Sequence, residues 1–585
     1  MYSLKNINIV RNKASMWLSS EYDENTRKVV RMLLEKEDPT ELVDAFFKNL
    51  EFGTGGIRAI MGVGTNRMNV YTVGLITQGL ANYLKNKFAY LLKISVVIGY
   101  DSRNNSKLFA DQSAEIFSAN GIHVHIFSSL RPTPEISYAI RYLDCQSGIC
   151  ITASHNSKEY NGYKIYWNDG AQVIGPHDKN ILEEINRITS IKDIKYSNKE
   201  CSLIKILDNK IDEKYIKDLL SILVSPEAVN QHKNIKIVYT PIHGAGITLI
   251  PKALALLGFE NIIYVAEQNV INGDFPTVKS PNPEEPSALL LAIEKAKISN
   301  ADLVMASDPD ADRMGAAVRD EKGEFVILNG NQILLIFIYY LIIQWEKHGK
   351  LTGNEYVVKT IVSTETIRIL ADAHNVQLYD VYTGFKWIAE VMRLNEGKKT
   401  FIGGGEESYG FLAEDFVRDK DAVSACMLFA EIAAWTKNNK KTIYELLQEI
   451  YIKYSYSKEI CVSVTKKNGF GEQIISSMMK NYRNNPPIKL ADSMVILIKD
   501  FLQLIEIHIT NNGKNFKKLS MPTTSNILQY FTEDGTKVSI RPSGTEPKIK
   551  FYIEVRSRIN SHKEMRIAEA VADVKIKSIL KSLNL

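Results

Sequence analysis

The sequence predicts an α/β protein of several domains with an α+β C-terminal portion, and three observations carry that expectation. Strand-like apolar runs alternate with helix-like segments: 94–99 precedes 108–120, 235–239 precedes 248–257, and the helical 288–296 precedes the strand-like 303–306. Each of these units ends its strand in a loop rich in Gly, Pro or Asp, so repeated α/β domains fit although no sequence repeat is visible. The C-terminal portion breaks the rhythm, with a Tyr/Ser/Lys-rich start at 454–458, strand-like 460–464 and 538–540, and a long helical stretch from His562.

At 585 residues the chain exceeds the size at which one hydrophobic core keeps growing, so three or four domains are expected. With 45% hydrophobic and 24% charged residues it reads as globular, and large-scale disorder is excluded. A net charge of +5 over this length is too weak to argue for nucleic acid, though it suits a cleft for small anions. Five scattered cysteines (Cys145, Cys150, Cys201, Cys426 and Cys461) without Cys-x-x-Cys spacing argue against a disulfide framework or structural zinc and for a reducing compartment. The start of the chain lacks the apolar core of a secretory signal. The longest apolar run, 333–343, is about half of a membrane span and reads as a buried helix of a cytoplasmic protein. Polar stretches at 190–212 and 436–442 and the turn-rich 319–323 are the candidate boundaries.

Residues 148–156, Gly-Ile-Cys-Ile-Thr-Ala-Ser-His-Asn, run from a buried strand into small polar side chains. Ser154 there reads either as a nucleophile or as a helix N-cap. Next comes Ser307-Asp308-Pro309-Asp310-Ala311-Asp312-Arg313 after an apolar strand. Three carboxylates two residues apart repel one another unless a divalent cation sits between them, and all-oxygen ligation favours Mg²⁺; the alternative is a solvated acidic turn. An EF-hand is excluded because its sixth and twelfth positions are Arg313 and Arg319.

The third loop, Gly403-Gly404-Gly405-Glu406-Glu407-Ser408-Tyr409-Gly410, combines glycines that let backbone approach a ligand with Glu406 and Ser408 as readers of sugar hydroxyls; a plain Gly-rich turn is the alternative. The fourth, Arg541-Pro542-Ser543-Gly544-Thr545-Glu546-Pro547-Lys548, concentrates phosphate donors around a possible anion nest, against a simple surface turn. Arg58, Lys164 and Lys386 each read singly as solvated charges. His123 and His125 read as ordinary strand residues, and His243 as a strand-end residue with either a structural or a functional hydrogen bond.

Together, in this order, Thr152-Ala-Ser154-His-Asn156, Asp308-Pro-Asp-Ala-Asp312-Arg313, Gly405-Glu-Glu-Ser408 and Arg541-Pro-Ser-Gly-Thr545 resemble the α-D-phosphohexomutase superfamily over nearly the whole chain. The opening Glu51-Phe-Gly-Thr-Gly-Gly and Tyr409 are similar to its long bacterial phosphoglucomutase and phosphopentomutase-related members. The resemblance implies three related α/β domains with mixed sheets plus a C-terminal α+β domain around a central active-site cleft. The expected spans are 1–205 with the phosphoserine loop, 206–322 with the metal loop, 323–452 with the sugar loop and 453–585 with the phosphate loop.

It further implies that Ser154 is carried as a phosphoserine, with Asp308, Asp310, Asp312 and a phosphoserine oxygen holding Mg²⁺. His155, Lys164, Arg58 and Arg313 are its catalytic companions, and Lys164 acts as a base only with a depressed pKa. Glu406, Ser408, Lys386, Arg541, Ser543, Gly544 and Thr545 are the implied substrate contacts. The implied reaction interconverts glucose 1-phosphate and glucose 6-phosphate, with glucose 1,6-bisphosphate as activator; mannose and pentose phosphates are the alternative substrates. A magnesium-dependent sugar phosphatase and a non-catalytic sugar-phosphate sensor are the rival classes. The expected partner is a small phosphorylated sugar, without nucleic acid or membrane, in a monomer or small homo-oligomer.

Overall fold

The computed structural model describes residues 4–51, 53, 56–197, 201–466, 471–543 and 548–585. They fall into two compact units. One takes the chain up to Val358 together with Gly384–Ile443; the other takes Lys359–Thr383 and Tyr444–Leu585.

The first unit opens with three helices, Leu4–Ser15, Glu24–Glu35 and Thr40–Phe46, around a small core of Val10, Trp17, Leu33 and Phe46. A six-stranded sheet follows, built from β1 (Ile57–Ile60), β2 (Ser95–Tyr100), β3 (His123–Phe127), β4 (Ser147–Ile151), β5 (Tyr160–Trp167) and β6 (Ile204–Leu207), in the order β1-β5-β4-β2-β3-β6. β4, β2, β3 and β6 are parallel, β5 runs against them, and β1, antiparallel to β5, points the same way as the parallel four. Every residue of β2 and β4 is buried, which is why both read as continuous apolar runs rather than alternating ones. The polar stretch 190–212 carries β6, the edge strand of this sheet.

The second sheet has the order β11-β10-β9-β7-β8, from β7 (Lys236–Thr240), β8 (Asn261–Tyr264), β9 (Leu303–Ser307), β10 (Met314–Arg319) and β11 (Phe325–Leu328). The turn at 319–323 joins β10 to β11 in a hairpin, so this sheet continues to Leu328. In the third, β12 (Glu355–Thr360) neighbours β14 (Thr400–Gly405), which pairs with β15 (Phe411–Leu412); β13 is Gln377–Val381. The apolar run 333–343 lies in the helix Gly330–Lys347, started by a capping box between Asn329 and Gln332 and buried along most of its length. No helix among the described residues is long and apolar enough to cross a membrane.

One device recurs in all three sheets. A buried strand (β4, β9 or β14) enters a loop and returns as an antiparallel strand (β5, β10 or β15). Two sequence expectations change as a result. Ser154 sits in a hairpin loop and starts no helix. The glycines 403–405 belong to β14 itself, where a side chain on Gly404 would meet the Val358 carbonyl at 2.8 Å and one on Gly405 would meet Leu334 at 2.7 Å. On this side they serve strand and helix packing.

The second unit is the expected α+β portion. Its eight-stranded sheet comprises β16 (Tyr456–Thr465), β17 (Lys489–Leu490), β18 (Ser493–Asp500), β19 (Ile505–Thr510), β20 (Gly513–Lys518), β21 (Leu528–Thr532), β22 (Lys537–Pro542) and β23 (Lys548–Ser557), and the helix His562–Ser582 packs on it. The segment Lys359–Thr383 is tied in by buried charge: Lys537 Nζ lies 2.8 Å from Glu365 Oε1 and 3.1 Å from Glu554 Oε2, and Lys359 Nζ lies 3.0 Å from Glu365 Oε1.

Gly330, first residue of the long helix, lies against the backbone of Glu407 and Tyr409, and a methyl group there would collide with the Glu407 carbonyl. Gly330→Ala is therefore expected to destabilise the protein by about 1–3 kcal/mol, the range for overpacking, and to lower activity by shifting the Glu406 turn. Chemical denaturation beside an activity assay checks this; an unchanged midpoint with full activity contradicts it.

Candidate active site

The loop between β4 and β5 is held by an arginine that the sequence reading passed over. Arg103 donates to the carbonyls of Ser154 (2.6 Å), Ser157 (2.8 Å), Tyr160 (3.0 Å) and Asn156, and its Nε lies 3.3 Å from Asp101 Oδ2. Asp101 also accepts from the Thr152 hydroxyl at 2.6 Å, and Thr152 Oγ1 in turn accepts from the Ser154 amide at 2.8 Å. This lattice keeps Ser154 at φ +53°, a left-handed conformation that costs a non-glycine residue roughly 1–2 kcal/mol. Arg103 follows β2 as Ser154 follows β4, so the strand-end criterion applied to 99–103 would have found it.

Ser154 is 1% exposed, and its hydroxyl donates to Asp308 Oδ2 at 2.8 Å. His155 Nδ1 lies 3.2 Å from the Ser154 hydroxyl oxygen. Burial, with Arg313 and Arg58 nearby, depresses the His155 pKa far below the usual imidazole value, so the ring is neutral. Arg58, on β1, donates to the Asn156 side chain at 3.1 Å.

The loop from β9 to β10 folds around one carboxylate. Asp308 Oδ1 accepts the amides of Asp312 (3.1 Å) and Arg313 (3.0 Å), and Ala311 takes φ +49°. The chain is thus bent so that Asp308, Asp310 and Asp312 place an oxygen each within 4.8 Å of one another, all buried. Asp310 Oδ2 accepts from the Thr133 hydroxyl (2.8 Å) and from Lys164 Nζ (2.7 Å), and Asp312 Oδ2 accepts from Lys164 Nζ at 2.7 Å. Burial, then Asp310 and Asp312, push Asp308 well above the carboxylate range. Asp312 goes the other way: burial opposes its charge, but Lys164, Lys420 and Arg313 prevail and lower its pKa.

Burial acts to lower the pKa of Lys164 on β5, but Asp310 and Asp312 outweigh it and raise the value. Whether the residues fit a divalent cation is answered by two buried oxygens: Asp310 Oδ1 and Asp312 Oδ1 accept no hydrogen bond among the described residues. Three clustered carboxylates, two with an unused oxygen, form a hard-donor set suited to Mg²⁺.

Beyond β14, Glu406 is 6% exposed and accepts from the Gly384 amide at 2.8 Å; burial raises its pKa against the pull of Lys420. Ser408 lies half-buried in the turn between β14 and β15. The Met314 amide donates to the Tyr409 carbonyl at 3.1 Å, which stitches this turn to the metal loop. A second omission is the segment Asp419–Asp421. Lys420 Nζ stands 3.2 Å from Asp312 Oδ2 and 3.1 Å from Asp419 Oδ1, and Asp419 accepts from Tyr166 and Gln172. Four adjacent charges, 418–421, directly before the apolar helix Ala422–Asn438 were its signal.

The structure brings Ser154, His155, Lys164, Arg58, Arg313, the three aspartates and Glu406 into one unit and one connected network. It places Lys386 otherwise: that side chain lines a small cavity with Trp167, Gln172, His177 and Arg393, and burial depresses its pKa. Arg541 and Ser543 belong to the second unit, on and just beyond β22, where the Ser543 amide donates to the Lys548 carbonyl at 2.7 Å. Gly544 and Thr545 lie outside the described residues. His243 is bonded on both ring nitrogens, to the Val270 carbonyl (2.8 Å) and Thr277 Oγ1 (2.9 Å), and is structural.

Comparison with known proteins matches the phosphoglucomutase/phosphomannomutase alpha/beta/alpha domains I, II and III to residues 49–192, 213–323 and 329–454, and its C-terminal domain to 499–574. A phosphoglucomutase of Staphylococcus haemolyticus is 34% identical over 531 residues, 90% of this chain and 94% of the relative. One from Staphylococcus aureus is 34% identical over 546 residues, 93% of this chain and 95% of its own. In fold the chain is similar to parafusin, a Paramecium phosphoglucomutase solved in an open form, with TM-score 0.67, 17% identity and coverage of 92% and 96%. A phosphoglucomutase/phosphomannomutase family protein from Burkholderia thailandensis gives TM-score 0.64 at 17% identity, covering 91% of this chain and 97% of that one.

Lys164→Met keeps the length of the side chain but leaves two buried carboxylates facing each other. It is expected to lose about 3–5 kcal/mol in chelator, and to regain stability with Mg²⁺ more than the wild type does. Paired denaturation curves with and without Mg²⁺ decide this; equal responses of the two proteins contradict it.

Proposed function

The chain belongs to the phosphoglucomutase/phosphomannomutase family, and from that premise we propose that it interconverts glucose 1-phosphate and glucose 6-phosphate through a phosphorylated Ser154. The observation that carries the reading is the 2.8 Å contact between Ser154 Oγ and Asp308, one of three clustered buried carboxylates. A serine hydroxyl set against such a cluster is poorly placed for packing and well placed for phosphoryl chemistry. The relatives named phosphoglucomutase, aligned over nine-tenths of the chain, support glucose phosphates as the substrate class.

In this reading Asp308, Asp310 and Asp312 would hold Mg²⁺, which supplies charge neutralisation to the oxygens of the transferring group. Ser154 gives its phosphoryl group to a sugar hydroxyl: the P–O bond to Ser154 Oγ breaks, a P–O bond to the sugar oxygen forms, and the hydroxyl proton leaves to a base. The bisphosphorylated sugar then turns end for end and returns its other phosphoryl group to the same serine oxygen. Glu406 and Ser408 orient the sugar hydroxyls, while Arg58, Arg313 and neutral His155 surround the group in transit. Arg541, Ser543, Gly544 and Thr545 are assigned to the phosphate that is not reacting, with Lys386 as a further substrate contact. Glucose 1,6-bisphosphate is the expected activator, since it recharges a serine that has lost its phosphate. The domain spans 1–205, 206–322, 323–452 and 453–585 and a cytoplasmic site of action belong to the same proposal.

Ser154→Ala is expected to reduce turnover by roughly a thousand-fold or more while unfolding at the wild-type midpoint, and Asp310→Ala to lose activity and its magnesium dependence together. Near-normal turnover in Ser154→Ala, or release of free phosphate in place of an isomerised sugar phosphate, refutes the reading. Side-by-side kcat/KM on glucose, mannose and ribose 1-phosphates with a trace of the matching bisphosphate tests the sugar; a higher value for mannose or ribose overturns the glucose assignment.

A further inference from the structure

The segment between β8 and the helix Pro286–Ser299 runs as a strap along the catalytic loops. Asp274 Oδ1 accepts from Asn104 at 3.1 Å, and the Arg103 guanidinium sits over the Phe275 ring at 5.1 Å. Ser280 donates to the His155 carbonyl at 3.1 Å. The strap ends at Asn282-Pro283-Glu284, where the Glu284 amide donates to Asn282 Oδ1 at 3.2 Å. Any side chain on Gly315 of β10 would meet Pro283 Cβ at 2.7 Å, so strap and metal-loop hairpin are in direct contact. Glu284 is thereby fixed beside Arg313, and its Oε1 accepts a hydrogen bond from Arg313 Nη1.

Arg313 has two ends with different surroundings. Nη1 is taken by Glu284, whereas the buried Nε–H has no hydrogen-bond acceptor among the described residues and lies 3.8 Å from Asp312 Oδ1. A guanidinium is planar and rigid, so anchoring one nitrogen fixes the direction of the others. Without that anchor, the nearest strong attraction for the cation is the aspartate cluster itself.

We propose that Glu284 is a positioning residue that holds Arg313 by Nη1, stops its guanidinium from closing further onto the aspartate cluster than the 3.8 Å between Nε and Asp312 Oδ1, and so presents the buried Nε–H to the phosphoryl group carried by Ser154. The inference rests on the mutase reading for the identity of that group, but the placement of Arg313 does not. Glu284 touches no reacting atom and acts through Arg313 alone. What the geometry requires at position 284 is an acceptor for the Nη1–H bond, and an amide oxygen at the same place still accepts it.

The test uses the full-length protein with Glu284→Ala, Glu284→Gln and the neighbouring Glu285→Ala as control. Glu284→Ala is expected to lower kcat by about 10- to 100-fold with KM for glucose 1-phosphate changed by no more than about twofold, Glu284→Gln to recover most of the loss, and Glu285→Ala to match the wild type. The second readout needs no turnover: in metal-free protein, phenylglyoxal modification of Arg313, located by peptide mass spectrometry, is expected to be several-fold faster in Glu284→Ala than in the wild type. A Glu284→Ala enzyme with wild-type kcat, a Glu284→Gln enzyme as impaired as Glu284→Ala, or unchanged Arg313 reactivity overturns the proposal. A wild-type protein inactive on every sugar phosphate removes the mutase reading instead, and the Arg313 reactivity then decides the placement alone.

Discussion

The arrangement of the catalytic loops depends on Lys164, whose ammonium lies 2.7 Å from both Asp310 and Asp312 in a place with almost no access to water. Three carboxylates within 4.8 Å repel one another by about 3–4 kcal/mol per ionised pair at an effective dielectric of 20. The loop from β9 to β10 cannot hold that charge alone. Compensation arrives through Lys164 on β5 and through Lys420, in the loop before the helix Ala422–Asn438, while burial and the two neighbouring aspartates raise the Asp308 pKa. Assembly of the sheets and burial of the acidic cluster are therefore one event: neither lysine has reason to be buried without the aspartates, and the aspartates are untenable without the lysines.

The three hairpins explain how such a cluster is built from distant parts of the chain. In each sheet the loop-bearing strand is buried on both faces, and its antiparallel return brings a residue back beside the loop. In the first sheet that returning residue is Lys164, paired in register with Cys150 four residues before Ser154. The loop that carries the serine and the strand that carries its cationic neighbour are thus placed by the same ladder of hydrogen bonds. A helix after β4 would have satisfied the polar residues Thr152 to Asn156 equally well by capping, but it would have carried Lys164 away from the aspartates.

What could be read in the sequence divides along the same line. Ser154, the aspartate loop and Glu406 were legible because strand ends announce themselves locally, by an apolar run stopping at small polar residues. The buried helix at 333–343 and the change to α+β were legible for similar reasons. The ion pairs of Lys164 were not, because its partners lie 146 and 148 residues away and nothing near position 164 hints at them. That Gly404 and Gly405 are pressed against Val358 and Leu334 was not legible either, because a local glycine pattern carries no trace of the distant residues packed on it. Arg103, Lys420 and Glu284 escaped for another reason: each works by holding something else, and a supporting residue has no signature until its target is in place.

The strained backbone at Ser154 gains its meaning from that support. A serine at φ +53° would relax if its loop were free, yet Arg103 engages four carbonyls of the loop and Thr152 engages the Ser154 amide, so relaxation would break several hydrogen bonds to relieve one dihedral. The balance favours the strained form, since each buried charge-assisted bond is worth about 1.5–3 kcal/mol against roughly 1–2 for the dihedral. The outcome is a hydroxyl oxygen whose position is set by the protein and not by whatever binds beside it. A phosphoryl carrier that must serve two different hydroxyls of one sugar needs that property, because the substrate changes orientation between the two transfers and the oxygen that gives and receives the group cannot.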